Sequence, residues 1–435
     1  MAQAADQARR GDREVTEEKT YAEAVRQLHG DAEALAQACR AADLDTAERL
    51  GRYPEPLLAS LDALTAEIVK TGIRFPLAPD AALLADAARV ADAPVFLTGV
   101  HKSGTTLLQH LCDNHPQLLV YPLDGRLGYD TVRRAIGEGL SDCGARIAAQ
   151  FITHTILPRM RVTRRPRWLL SAREGDVEPY VEFARRFFGF HATLPRDVGG
   201  LFRCAAAAYY ATQASERRTA VRRWAHKATT YFREAEALAR LFPQARFVQI
   251  VRHPCAVYGA QKRRQPVKGR LFSPFDEIKA IETSFRMARA NLDRLGPARY
   301  QVVRYEDLTA DPESVMRKVA GFLGICYDDI LIRPTQRGRD AQSNTAYEGQ
   351  HNRAGTISTE TVERWKSELS SLESDFVLSM VASAAAPFGY GASAGGSGRL
   401  AGVFRLRREY AGKTEIRNFS AVETARLAFR FATSG

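Results

Sequence analysis

The chain has little cysteine, and none of it is clustered. Six cysteines in 435 residues stand singly, at Cys39, Cys112, Cys143, Cys204, Cys255 and Cys326. No two show the C-x-x-C spacing of a zinc or redox site, which excludes zinc modules and disulfide-framed secreted scaffolds. Reduced, structural thiols in a cytoplasmic protein are expected. Long apolar runs are missing too. None reaches the ~18 residues that span a bilayer, and the longest candidate, residues 376–388, is broken by Pro387. The opening MAQAADQARRGDREVTEEK has no apolar h-region, so no signal peptide is expected. Acidic side chains are the minority, 50 against 62 Lys and Arg, for a formal charge of +12. Such a surface attracts anions (nucleotides, nucleic acid, acidic glycans, lipid headgroups) without choosing among them.

What remains is a globular composition, 45% hydrophobic and 26% charged, able to bury a sizeable core. Residues 1–18 read as a charged, frayed leader. Apolar residues at helical spacing follow in residues 21–42, after Pro56 and in DAALLADAARVAD, so residues 1–92 form a helical extension. At Pro94 the pattern changes. PVFLTGV, LLVYP, RRWAHK, ARFVQIV and RYQVVRYEDL read as short strands. Between them lie helical segments: GTTLLQHLCDNH, most of residues 140–220, YFREAEALARLF, PCAVYGAQKRR, residues 275–295 and PESVMRKVAGFLGI, which starts at a favourable proline. Short apolar strands alternating with helices predict an α/β fold, a mostly parallel central sheet covered on both faces. The α/β domain is expected over 93–388, with ISTETVERWKSEL as one of its helices. A Gly/Ser-rich linker is expected at 389–402 and a basic tail at 403–435, with one amphipathic segment, VETARLAFRFA.

The sharpest motif is Thr98-Gly99-Val100-His101-Lys102-Ser103-Gly104-Thr105-Thr106, between a strand and a helix. There, glycines let backbone amides curl round an anion and the helix N-terminus adds partial positive charge. A nucleotide-hydrolysing P-loop reads G-x-x-x-x-G-K-[ST]. Gly99 and Gly104 keep that spacing, but Thr105 stands where the lysine belongs and the lysine has moved to Lys102, on the loop crest. From there an ammonium meets the 5′ end of a shorter nucleotide. A second anchor is Arg252, which ends FVQIVR just before Pro254. Ligands of open α/β sheets bind at such strand ends, and a guanidinium forks onto phosphate. The charges of Val303-Arg304-Tyr305-Glu306-Asp307 read as structural caps and pairs.

These residues resemble the sulfotransferases that use 3′-phosphoadenosine 5′-phosphosulfate (PAPS), in particular the bacterial and carbohydrate-type branch. TGVHKSGTTLL resembles the family's 5′-phosphosulfate loop, and FVQIVRHPCAVYGAQKRR its 3′-phosphate strand and helix. HKATTYFREAEALARLFPQARF, VRYEDLTADPESVMRKVAGFLG, SNTAY and ISTETVERW resemble further blocks, so the likeness covers residues 94–369. It implies a P-loop-type three-layer α/β/α domain and in-line transfer of a sulfuryl group from PAPS without a metal. That chemistry is close to phosphoryl transfer, in which positioning and charge stabilisation dominate. It implies that His101, Lys102, Ser103, Gly104, Thr105 and Thr106 hold the 5′-phosphate, with Lys102 at the leaving oxygen. Arg252 reads the 3′-phosphate, and Arg353 and Gly355 belong to a late nucleotide-contacting segment. Ala260 is a departure, because the family usually has a serine there, eight residues after the arginine. Tyr258, Gln261 and Lys262 are the expected substitutes.

The acceptor hydroxyl or amine needs a base. Lys227 matches the family's lysine, but the position two residues on, a histidine in some branches, is Thr229. In other branches a carboxylate after the second strand serves, which points to Asp124; Asp124 in an Asp-Gly turn reads equally well, and His101, His226 and Lys227 remain alternatives. The Arg-rich LPRMRVTRRPRWLLSAR suits an acidic or lipid-linked glycan, or is a solvated basic face. The basic tail suits peripheral contact with an anionic membrane, or a packed terminal helix. No nucleic-acid-binding pattern is present. Cytoplasmic location agrees with where PAPS is made, and heavy Ala and Arg usage points to a GC-rich bacterial genome. The competing functions are a Mg-dependent P-loop kinase or NTPase and a catalytically inactive nucleotide-binding protein.

Overall fold

The structure, a computed structural model, describes residues 2–43, 54–124, 143–156, 170, 175–267, 271–341, 354–391, 399–414 and 416–417. The chain opens with α1 (Ala2–Ala41), α2 (Glu55–Arg74) and α3 (Ala81–Ala91), then runs through β1 (Pro94–Thr98), α4 (Thr105–Cys112) and β2 (Leu118–Asp124). A helical stretch follows: α5 (Ala145–Ile156), α6 (Glu178–His191), α7 (Val198–Ala211) and α8 (Ser215–Ala220). The sheet resumes with β3 (Arg223–Lys227), α9 (Tyr231–Leu241), β4 (Arg246–Val251), α10 (Pro254–Val267), α11 (Pro274–Leu295) and β5 (Tyr300–Arg304). Then come α12 (Tyr305–Ala310), α13 (Pro312–Leu323), a small hairpin of β6 (Thr335–Gln336) and β7 (Arg339–Asp340), α14 (Trp365–Glu368), α15 (Ser371–Ala385) and α16 (Arg399–Tyr410). They fall into two compact units. The first holds residues 1–48, 52–91 and 122–219; the second holds 49–51, 92–121 and 220–435.

In the first unit α2 buries Leu57, Leu61, Leu64, Ile68 and Val69, a stripe at helical spacing. That stripe is covered by α6, and α3 lies against α7. The joint is pinned by Arg185, whose Nε donates to the Phe75 carbonyl at 2.8 Å while its guanidinium lies 4.1 Å from the Tyr21 ring centroid. Phe151 stacks on Phe187 and meets Phe202 edge-on beneath. The helices α5, α6 and α7, which the 92/93 boundary groups with the sheet, thus pack with the helical extension in this unit. The reason is burial: the apolar stripes of α2 and α3 must be covered, and α6 and α7 supply matching faces. The frayed leader is corrected as well. α1 is continuous from Ala2, as its Ala, Glu, Gln and Arg content favours.

The second unit carries the sheet, in the order β2-β3-β1-β4-β5. β1 is parallel to β3 and β4, and β4 is parallel to β5. Alternation sorts the side chains. Val95, Leu97, Ala225, Val248 and Ile250 pack with Leu108 and Leu111 of α4 and Met316, Val319 and Leu323 of α13. On the opposite face Phe96 stacks on Phe247 at 5.2 Å and meets Tyr231 of α9 at 5.1 Å. Asn291 of α11 donates to the Phe232 carbonyl at 2.8 Å. Both faces are covered, so the strands read as apolar runs. This is the three-layer α/β/α arrangement expected.

Local readings differ in three places. The strand RYQVVR stops at Arg304, and Tyr305–Ala310 turns into α12. Of ISTETVERWKSEL only Trp365–Glu368 is helical. α16 begins inside the expected linker, and Leu406, Tyr410 and Ile416 are buried in a core with Tyr258, Phe272, Phe285 and Phe376. Residues 399–416 thus belong to this unit, because their apolar residues fill the space beside α10, α11 and α15. Among the described residues no helix is long and apolar enough to cross a membrane.

Candidate functional site

The loop after β1 is shaped by two positions that exclude a side chain. Gly99 has φ +149°, and a Cβ there would lie 2.3 Å from the Ile250 carbonyl oxygen. Gly104, the N-cap of α4, has φ +106°, and a Cβ would lie 2.4 Å from Cδ2 of Tyr305. Between them Lys102 sits at φ +67°. A non-glycine residue there carries about 1–3 kcal/mol of strain, tolerated where the surroundings over-determine it. Ser103 closes the loop by donating both its N–H (3.1 Å) and its hydroxyl (2.7 Å) to the Val100 carbonyl. The amides of Thr105, Thr106 and Leu107 begin α4 and have no carbonyl four residues back within the helix. They and the helix dipole make the loop an anion cradle.

Lys102 is half-buried. Burial first, then the charges of Arg264 and Arg252, lower its pKa from 10.5 to about 8. Arg252 follows β4 directly. Its Nη1 donates to the Lys102 carbonyl at 3.1 Å, its Nη2 to the Thr361 carbonyl at 2.5 Å, and its face lies 4.2 Å from the Tyr305 ring centroid. Its Nε is buried with no hydrogen-bond partner among the described residues. Among the described residues Arg252 is thus held by carbonyls and a ring, not by a carboxylate.

Tyr305 was not singled out by sequence reasoning, yet it organises this corner. It underlies Gly104 and Arg252, and its hydroxyl lies 2.9 Å from Thr361 Oγ1. Its neighbour Glu306 has the structural role expected of that segment. Oε1 accepts from the His253 N–H at 2.9 Å, and Oε2 accepts from the Tyr390 hydroxyl. The His253 ring stacks on Trp365 at 4.5 Å, and burial lowers its pKa.

The remaining sequence candidates divide. The His101 Nε2 lies 3.5 Å from Thr229 Oγ1, beside the loop. Lys227, 2% exposed, ends β3 opposite Leu97. His226 is fully buried, bonded through Nδ1 to the Tyr231 hydroxyl at 2.7 Å and stacked on Trp224. Gly355, at φ +74°, donates its N–H to the Ala341 carbonyl and packs on Asp340, which places it at the β6–β7 hairpin. Asp124 ends β2, but its side chain lies outside the described residues, as do Arg353, the segment 157–169 with Trp168, and VETARLAFRFA.

Two of the three expected substitutes at the Ala260 departure are engaged elsewhere. The Tyr258 hydroxyl is 2.9 Å from that of Tyr410, and Lys262 Nζ is 2.5 Å from Glu373 Oε1. Gln261 faces Arg264 and Glu277. Among the described residues no group of three or more His, Cys, Asp or Glu side chains is placed to hold a metal ion.

A family model described as "Sulfotransferase family" matches residues 94–329, and one described as "Sulfotransferase domain" matches residues 278–383. The chain is 26% identical over 274 residues to omega-hydroxy-beta-dihydromenaquinone-9 sulfotransferase Stf3 of Mycobacterium bovis, covering 55% of this chain and 65% of that protein. It is 24% identical over 307 residues to protein-tyrosine sulfotransferase 1 of Danio rerio, covering 68% and 67%. Among solved structures, the sulfotransferase domain from the curacin biosynthetic pathway aligns with TM-score 0.43 and 17% identity, over 68% of this chain and 97% of that one. The first match holds the glycine loop, Lys102, Arg252 and Arg264 and spans more than half of the chain: the chain belongs to the sulfotransferase family.

Proposed function

We propose that the protein transfers a sulfuryl group from PAPS to an acceptor hydroxyl. The observation that carries this reading is the joining of two anion anchors: the Arg252 guanidinium donates to the carbonyl of Lys102, the residue at the crest of the glycine loop. The residues fit PAPS. A Cβ at Gly99 or Gly104 would collide with the Ile250 carbonyl or the Tyr305 ring, so the loop keeps this curl only with glycine there; the buried Arg252 Nε has a donor to give, and the local charge is positive. PAPS, when bound, supplies the activated sulfuryl group.

The chain's own residues then have distinct tasks. Amides of Thr105 and Thr106 hold the 5′-phosphate, and Lys102 keeps positive charge at its departing oxygen. Arg252 selects for a 3′-phosphate, which separates this donor from ATP. Asp124 accepts the acceptor's proton, with His101 and Lys227 as the alternatives. The acceptor is a glycan, a lipid-linked or a small molecule. The names of the two relatives support a hydroxyl over an amine, since one acts on an omega-hydroxy-dihydromenaquinone and the other on protein tyrosine.

Calorimetry with adenosine 3′,5′-bisphosphate, AMP and ATP, each with and without Mg²⁺, tests this. Metal-independent binding of the bisphosphate, tighter than AMP and lost in Arg252→Ala, supports the reading and leads to an acceptor screen with labelled PAPS. Preference for ATP with Mg²⁺ replaces it with a kinase.

A further inference from the structure

β4 and β5 run parallel with Val251 opposite Arg304, and both strands stop there. The next two residues of each stay in step, now through side chains. The Tyr305 ring lies under the Arg252 guanidinium at 4.2 Å. Glu306 accepts the His253 N–H at Oε1, 2.9 Å away. That N–H belongs to the planar peptide unit joining residues 252 and 253, so holding it fixes how the Arg252 Cα presents its side chain. It is also the N–H of the residue that caps α10, which no carbonyl of the helix can accept. In a capping box a glutamate three residues on takes such an N–H. Here that residue is Ala256, and a glutamate from α12 does it instead.

The second carboxylate oxygen is held as well. Oε2 accepts from the hydroxyl of Tyr390, a buried residue. Gly389, at φ +80°, reverses the chain after α15, and the Tyr390 N–H donates back to the Ala385 carbonyl at 3.3 Å. The Tyr390 ring then meets His253 and Phe285 edge-on at 5.9 and 5.5 Å, with the Arg304 guanidinium 4.8 Å from its centroid. Glu306 is thus fixed at both oxygens, and neither bond is to Arg252.

We propose that Glu306, held by Tyr390, is a positioning residue for phosphate recognition: it locks the Arg252–His253 peptide and so aims the guanidinium at the 3′-phosphate of a nucleoside 3′,5′-bisphosphate donor. This deepens the donor reading above and rests on it. The carbonyls of Lys102 and Thr361 hold the tip of Arg252, and Glu306 holds its root. A long side chain fixed at both ends loses little further freedom when it binds. Its planar fork makes two parallel bonds to a phosphate only in one orientation, so a small rotation of the backbone loses one of them.

The test is titration calorimetry of adenosine 3′,5′-bisphosphate and of AMP against the full chain, as wild type, Glu306→Ala, Glu306→Gln and Tyr390→Phe, with urea denaturation of each. The readout is the ratio of the two affinities, which a loss of stability alone does not move. Glu306→Ala lowers that ratio about tenfold, the effect of losing one charge-assisted bond. Glu306→Gln, whose amide oxygen still accepts the His253 N–H, keeps most of it. Tyr390→Phe leaves the carboxylate in place but loosens it, and the ratio falls by less than in Glu306→Ala. An unchanged ratio in Glu306→Ala, or a loss in Glu306→Gln as large as in Glu306→Ala, overturns the assignment while the donor reading stands. Where Glu306→Ala does not fold, Tyr390→Phe decides: a lowered ratio supports the assignment and an unchanged one overturns it. Absence of any bisphosphate preference in the wild type overturns the donor reading itself, and the assignment with it.

Discussion

Raising the pH from 7 to 9 carries Lys102 through its titration, because burial and the charges of Arg264 and Arg252 have lowered its pKa from 10.5 to about 8. The sign follows from proton linkage. Below pH 8 the ammonium is charged and an anion is bound by it directly. Above pH 8 the free site has lost the proton, and a bound phosphate, by drawing the pKa back up, takes a proton from solution. Affinity therefore falls as pH rises, by about tenfold between pH 7 and pH 9 if the full charge is restored in the complex. The lowering corresponds to roughly 3 kcal/mol, which an anion can recover. The phosphate monoester, with a second pKa of about 6, is already a dianion over this range and does not contribute. Glu277 does contribute, since its carboxyl also titrates at about 8 and its ionisation puts negative charge near Arg264, in the same direction. The assay is calorimetry of adenosine 3′,5′-bisphosphate at pH 7, 8 and 9, in buffers of different ionisation enthalpy so that proton uptake is counted. In Lys102→Arg combined with Glu277→Gln neither site titrates, and the dependence flattens. Flat affinity in the wild type, or a slope that survives in the double variant, refutes the reasoning. Fold stability moves the opposite way: the unfolded chain holds the lysine proton to higher pH, so the Lys102 contribution rises from pH 8 to 10.5.

Three further outcomes are expected. Gly104→Ala costs about 2–4 kcal/mol from left-handed strain and the clash with Tyr305, read from urea denaturation, whereas a cost under about 0.5 kcal/mol contradicts the loop geometry. Lys262→Met removes the cation from the Glu373 carboxylate, 2% exposed, which keeps its hydrogen bonds from the Ser370 N–H and the Tyr410 hydroxyl, and lowers stability by up to about 3 kcal/mol; the additional change Glu373→Gln recovers part of it, and no recovery means the pair is not the cause. A thiol reagent at neutral pH modifies one cysteine rapidly, the exposed Cys326, and reaches the five buried ones only on unfolding; rapid loss of a second thiol contradicts that burial.

The alternation of short apolar runs with helical segments was enough to determine a parallel α/β sheet, because strands buried on both faces must be apolar throughout and their crossovers must be helices. The glycine spacing with lysine on the crest, and the arginine ending FVQIV, located both anion anchors, since local backbone requirements and strand ends are written in neighbouring residues. Other features depended on contacts between distant residues. Whether Arg252 was paired with a carboxylate or held by neutral groups was decided by Tyr305 and Thr361, more than fifty and more than a hundred residues further on. The burial of His226 against Trp224 and Tyr231 is likewise a contact that no spacing reveals. The helical extension found its partners in residues 122–219, and α16 found its place beside α10 and α15, because an apolar stripe states that it must be covered but not by what.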